Sequence, residues 1–168
     1  MNTSFPAFEI SPVPVPGPDA VAPEPFRGIY GMPMFVTVPT GDLTASVDFW
    51  VRGLGFFDLF TVPGQLTHLR RWAFQDVLLV PGDRPADAPT TTVSFSCVLA
   101  EIDGIVAACE AVTPGCTAGP RVMPWNSVEV EVRTPENLRV IMTAAQRWDP
   151  DSPAAAHLRS IGIEAPER

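Results

Sequence analysis

The sequence predicts an α+β fold in which two βαβββ modules form a curved mixed β-sheet half-barrel with a concave ligand pocket. Three observations predict it. A β-like run, a turn and an amphipathic helix span Phe35 to Leu54, with three short β-like runs behind them. The same order returns from Thr92 to Thr143. At 168 residues and 46% hydrophobic, the chain can bury one good core but is too short for two ordinary domains.

The first module opens with the β-rich run Met34 to Val38, which Pro39 ends. Thr40 or Asp42 then caps a helix whose apolar residues Leu43, Val47, Trp50, Val51 and Leu54 recur at helical spacing. Phe49 and Trp50 are expected between helix and sheet, and Gly53 and Gly55 close the helix. Phe56 to Val62 reads as a strand, Pro63-Gly64 as a turn, and Leu66 to Phe74 as a second strand. Gln75-Asp76 reads as a turn into the last strand, Val77 to Val80.

Asp83 to Pro89 is expected to link the modules. Val93 to Leu99 then reads as a strand, and Ile102 to Val112 as a helix with Ile102, Ile105, Val106, Cys109 and Val112 on its apolar face. Thr113 to Pro120 is expected as a loop and Arg121-Val122 as a short strand. Ser127 to Arg133 alternates polar and apolar residues, the mark of a half-buried strand. Thr134 to Asn137 turns into a final strand, Leu138 to Thr143.

These boundaries predict a Pro-rich arm (1–32), one domain (33–145, with modules 33–82 and 91–145) and a C-terminal extension (146–168). Pro12 to Pro25 favours an extended, polyproline-like path, with Phe5, Phe8, Phe26 and Tyr30 as apolar anchors. Further prolines mark the extension as peripheral.

Charge and composition narrow the function. A net charge of −8 argues against nucleic acid, which needs a basic footprint. No apolar run reaches membrane-spanning length, and the first basic residue, Arg27, comes too late for a signal peptide. A cytoplasmic protein is expected. All eleven basic residues are Arg, a bias of GC-rich genomes such as those of actinobacteria. Cys97, Cys109 and Cys116 lack metal-site spacing and read as small buried hydrophobes.

The ordered pieces resemble the vicinal oxygen chelate superfamily of glyoxalases, bleomycin-resistance proteins and ring-cleaving dioxygenases. The resemblance covers roughly residues 31–145. In the first module it rests on Val38-Pro-Thr-Gly-Asp-Leu-Thr-Ala-Ser-Val-Asp-Phe-Trp50 leading into Leu54-Gly-Phe56. In the second it rests on Pro124-Trp-Asn126 followed by Val130-Glu-Val-Arg-Thr-Pro-Glu-Asn137. The resemblance implies metal-ligand positions at or next to Pro33, Leu78 or Leu79, Ser94 and Ile141. A divalent cation needs imidazole or carboxylate donors, which these side chains do not supply. A metal-free branch, with no metal and no cofactor, is therefore expected. A homodimer is implied by the resemblance alone.

Period-two alternation selects the cavity face. Phe35 and Thr37 face the hollow from the first strand, and Ser94, Ser96 and Val98 from the first strand of the second module. Glu129, Glu131 and Arg133 face it from one late strand, and Arg139, Ile141 and Thr143 from the last. The Leu66–Phe74 strand offers either His68, Arg70 and Trp72 or Thr67, Leu69, Arg71 and Ala73; an aromatic plate beside donors favours the first set. Trp125 and Phe60 are further candidate plates.

Two functions follow from this hollow. One is metal-independent binding of a small aromatic or amphipathic natural product or antibiotic, with resistance by sequestration. The other is a metal-free enzyme of natural-product biosynthesis, an isomerase, cyclase or dehydratase, with His68 and Glu129 or Glu131 as acid–base groups.

Overall fold

A computed structural model describes residues 17–28, 34–72, 74–87 and 89–162. The proposed anchors Phe5, Phe8 and Tyr30, together with Pro33 and Ala73, lie outside the described residues.

The first module comprises β1 (Phe35–Thr40), α1 (Leu43–Arg52), β2 (Phe57–Val62), β3 (Leu66–Arg70) and β4 (Asp76–Pro81). The second comprises β5 (Thr92–Cys97), α2 (Ile102–Val112), β6 (Thr117–Met123), β7 (Ser127–Arg133) and β8 (Arg139–Ala145). Each module builds one four-stranded mixed sheet, in the orders β1-β4-β3-β2 and β5-β8-β7-β6. The first strand of each pairs parallel with the last, and the remaining pairs are antiparallel. The repeat read in the sequence is thus a repeat of topology.

Local chemistry sets the element ends. Asp42 caps α1 by accepting from the Ala45 N–H at 3.0 Å. Gly53, at the end of α1, allows a close helix–helix approach: a Cβ there would lie 3.2 Å from Cys109 Sγ on α2 and 2.7 Å from the Phe49 carbonyl oxygen. Trp50, Phe56 and Phe95 form a buried edge-to-face cluster, with ring centroids 5.1 Å apart for Trp50–Phe56 and 5.2 Å for Phe56–Phe95. Phe95 belongs to the second module, so one core serves both. Trp50 Nε1 also donates to Glu136 Oε2 at 3.2 Å, tying α1 to the β7–β8 hairpin.

Several boundaries differ from expectation. β1 continues through Pro39 to Thr40, because β1 is an edge strand, where a missing N–H is tolerated. β3 ends at Arg70, and Asp76 begins β4 opposite Phe35 and Arg70 instead of sitting in a turn. β6 covers much of the expected loop; Gly119 and Pro120 are absorbed by a register shift between Ala118 and Arg121 at the other edge. The extension contains a helix, α3 (Pro153–Ser160), capped by Ser152, whose hydroxyl accepts from the Ala155 N–H at 3.1 Å. Pro153 starts that helix, where its lacking N–H costs nothing, and Ala155 and Leu158 are buried.

Candidate functional site

The β3–β4 turn builds one wall of a cavity between the modules. Its backbone is fixed by Gln75 N–H donating to the Trp72 carbonyl at 2.9 Å and Arg71 N–H donating to the Gln75 carbonyl at 3.2 Å. Phe74 takes φ of 66°, a left-handed conformation unusual for a bulky residue, and stands 66% exposed. Trp72 is half-buried beside it. Met34 and Val36 form a second wall, and Val93, Ser94, Phe95 and Ser96 of β5 form the third. Gln75 and Asp76 complete a lining that encloses about 290 Å³.

Arginine and amide donors hold the seam together. Arg71 donates to the Leu54 carbonyl at 3.1 Å and the Ser96 carbonyl at 3.0 Å, and pairs with Glu101 at 2.9 Å. Gln75 Nε2 donates to the same Ser96 carbonyl at 3.1 Å. The turn is therefore stitched to β5, and the cavity has a fixed frame.

A buried charge cluster adjoins the cavity through Asp76. Asp76, 2% exposed, accepts at Oδ1 from Arg70 Nε at 2.7 Å and lies 2.6 Å from His68 Nε2. Phe35 and Phe60 meet the His68 ring edge-on, with centroids 5.2 and 5.1 Å away. Arg70 Nη1 reaches the arm and donates to the carbonyls of Phe26 at 2.9 Å and Gly28 at 2.6 Å. Both His68 and Arg70 are buried, as are Thr67 and Leu69 on the opposite face, so β3 is covered on both sides.

The second sheet carries a solvated charge lattice. Glu131 pairs with Arg139 at 2.9 Å and Arg133 at 3.8 Å. Glu129 Oε1 accepts from Trp125 Nε1 at 2.7 Å, Ser127 Oγ at 3.1 Å and Thr143 Oγ1 at 3.4 Å. Ile141 lies between Ser94 and Glu131 in register.

The residues assigned to one hollow from sequence thus fall in three places. Trp72 and Ser96 line the seam cavity. Phe35, Thr37, Phe60, His68 and Arg70 belong to the first sheet around the charge cluster, and none of them lines the cavity. Trp125, Glu129, Glu131, Arg133, Arg139 and Ile141 belong to the second sheet. The pairing of His68 with Glu129 or Glu131 is corrected: Asp76 is the carboxylate on His68, while the two glutamates are engaged across β7 and β8. Sequence reasoning missed Asp76, Gln75 and Phe74. An acid heading an apolar run, six residues after an Arg, was the available signal for Asp76.

No family model matches the chain, and no curated protein matches it. Solved structures do. The fosfomycin resistance protein FosX from Mesorhizobium loti superposes with a TM-score of 0.56 at 12% identity, covering 71% of this chain and 95% of that one. Lactoylglutathione lyase from Agrobacterium tumefaciens gives 0.52 at 22% identity, covering 68% and 94%. The chain has the vicinal oxygen chelate fold. FosX from Listeria monocytogenes, complexed with Mn(II) and sulfate, gives 0.55 at 15% identity, covering 71% and 93%.

That vicinal oxygen chelate neighbours include a manganese complex calls for a test of the donors here. The described positions implied for ligands carry Leu78 or Leu79, Ser94 and Ile141; Leu79 is core, and Ser94 pairs with Ile141 across two strands. Among the described residues, no group of three or more His, Cys, Asp and Glu side chains is placed to hold a metal ion. His68 and Asp76 supply two donors, but the Arg70 guanidinium already occupies the carboxylate oxygen that His68 approaches. These residues do not fit a divalent cation, which needs more hard or imidazole donors than they provide.

Proposed function

We propose that the chain binds a small, flat natural product or antibiotic in the seam cavity without a metal ion, and that sequestration is its role. The cavity carries the reading. Its frame is fixed, its walls are chiefly apolar, and three aromatic residues, Trp72, Phe74 and Phe95, are among its lining. Its volume of about 290 Å³ sits at the low end of ligand pockets, roughly 300–1,000 Å³, and selects a guest of one or two rings. The working unit in this reading is residues 33–145, in a cytoplasmic homodimer. Among the described residues no helix is long and apolar enough to cross a membrane.

A second reading, a metal-free isomerase, cyclase or dehydratase, is favoured by one observation. The 2.6 Å contact from Asp76 to His68 is the arrangement that orients an imidazole for proton transfer. His68 is 5% exposed and does not line the cavity, so a substrate in the cavity would not touch it. Binding without turnover ranks first.

Thermal denaturation against a panel of one- and two-ring antibiotics and natural products, in excess chelator, tests the proposal. A ligand that raises Tm in the native chain but not in Trp72→Ala supports it. A panel without a single such ligand, or a ligand consumed by the native chain but not by His68→Ala, contradicts it.

A further inference from the structure

We propose that the guest of the seam cavity is a flat apolar ring system carrying one neutral N–H or O–H donor, which Gln75 Oε1 accepts. The inference rests on the reading of that cavity as a binding site. Gln75 is only 8% exposed, and three of its four polar groups are engaged: the backbone N–H and carbonyl in the turn, and Nε2 on the Ser96 carbonyl. Oε1 is buried and has no hydrogen-bond partner. Turning the amide over does not relieve this, because Oε1 would then face the Ser96 carbonyl, an acceptor against an acceptor.

Among the described residues, Glu136 Oε1 is the other buried side-chain atom in this condition, and Glu136 does not line the cavity. Asp76, also in the lining, has its Oδ1 bound by Arg70 and His68, and Arg70 balances its charge. The lining therefore includes a residue whose neutral acceptor is buried and unmet, and no surplus charge to attract an ion. A buried acceptor without a donor is costly, so native proteins satisfy nearly all of them. The rest of the lining, Met34, Val36, Trp72, Phe74, Val93 and Phe95, accounts for the apolar body of the guest. Oε1 is closed to water, so a donor reaches it only when a neighbouring side chain shifts; of the lining residues, Met34 and Phe74 are 69% and 66% exposed.

Indole and benzofuran separate the donor from the ring, because they share a shape and differ in N–H against O. Indole is the better hydrated of the two, so apolar transfer alone ranks benzofuran first. Isothermal titration of the native chain, with chelator present, should rank indole tighter by about tenfold or more, with N-methylindole close to benzofuran. Gln75→Met, confirmed folded by circular dichroism, should lose the preference, binding indole no tighter than benzofuran. Equal affinity of indole and benzofuran in the native chain overturns the inference even if the variant does not fold, and so does an unchanged preference in the variant. Flat ring compounds that bind with no regard to a donor leave the cavity's binding role standing and sink this inference alone; no binding by any of them sinks both.

Discussion

His68 Nε2 and Asp76 Oδ1 lie 2.6 Å apart on neighbouring strands, and the Arg70 guanidinium binds that same oxygen at 2.7 Å. The three side chains share one buried face of the first sheet, with Asp76 opposite Arg70 in register. The charges of Asp76 and Arg70 are in water only when the chain is unfolded, so each depends on the other once it folds.

Asp76→Ala removes the carboxylate against which the buried Arg70 charge is balanced. The variant should lose about 3–5 kcal/mol of stability in urea denaturation. A loss below about 1 kcal/mol would mean that the cluster is solvated rather than enclosed.

Trp50 joins the modules through its ring contacts and its hydrogen bond to Glu136. Trp50→Phe should cost roughly 2–3 kcal/mol, from lost volume and from a buried carboxylate deprived of its donor. A double-mutant cycle with Glu136→Leu should give a coupling of about 1 kcal/mol; additive effects would contradict the bond.

The fold was legible because its signals were periodic. Alternation over Ser127 to Arg133 separated Val130 and Val132, now fully buried, from the half-exposed Glu131 and Arg133. The helix Ile102–Val112 was readable to the residue from its apolar stripe. What failed were places where a tertiary contact overrode a local rule. Pro39 reads as ending a strand and Pro120 as ending a loop, yet both sit on edge strands, Pro39 opposite Val80 and Pro120 inside the β6–β7 register shift. The prolines of the extension read only as the mark of a peripheral tail, yet Pro153 begins a helix. Gln75 and Asp76 had the composition of a turn, and only the pairing of β4 with β3 shows Asp76 as a buried strand residue. The site was legible in part for the same reason: alternation selects a face, but it does not reveal that the two sheets' faces are separate and the cavity lies at their seam.

The arm is held by Arg70 through the Phe26 and Gly28 carbonyls, and Arg27 lies over the Phe57 ring at 4.4 Å. A chain beginning at residue 29 should lose about 2–3 kcal/mol, since two hydrogen bonds to a charged group, each worth roughly 1.5–3 kcal/mol, are partly offset by the entropy of ordering the arm. An unchanged urea midpoint would show that the arm contributes nothing to the folded state.

Glu110 braces the start of β6 by accepting from Thr117 Oγ1, Gly115 N–H and Thr117 N–H. The Thr117 hydroxyl, then the two N–H groups, hold its carboxyl below the ordinary value of 4.5. Bonds that favour the charged form stabilise the fold above that value, and the effect fades as pH falls through the lower folded value. The native chain should exceed Glu110→Gln in stability at pH 7, and the gap should close in acid. A gap that widens in acid would contradict these bonds.

Burial pushes the Cys97 thiol up to about 11 and the Cys109 thiol up to about 12, and it raises Cys116 as well. At pH 8 the folded chain should react slowly with a thiol-directed reagent, and in urea all three cysteines should react at once. A single fast thiol in the folded chain would point to a nucleophile that this account does not contain.

The central claim is that the seam cavity binds an organic guest with no metal ion taking part. Calorimetric titration of a panel ligand, before and after exhaustive chelation, with metal content measured on the same samples, tests it most directly. The account predicts one affinity in both states, with far less than one equivalent of metal per chain, and loss of binding in Trp72→Ala. Stoichiometric transition metal whose removal abolishes binding would contradict it.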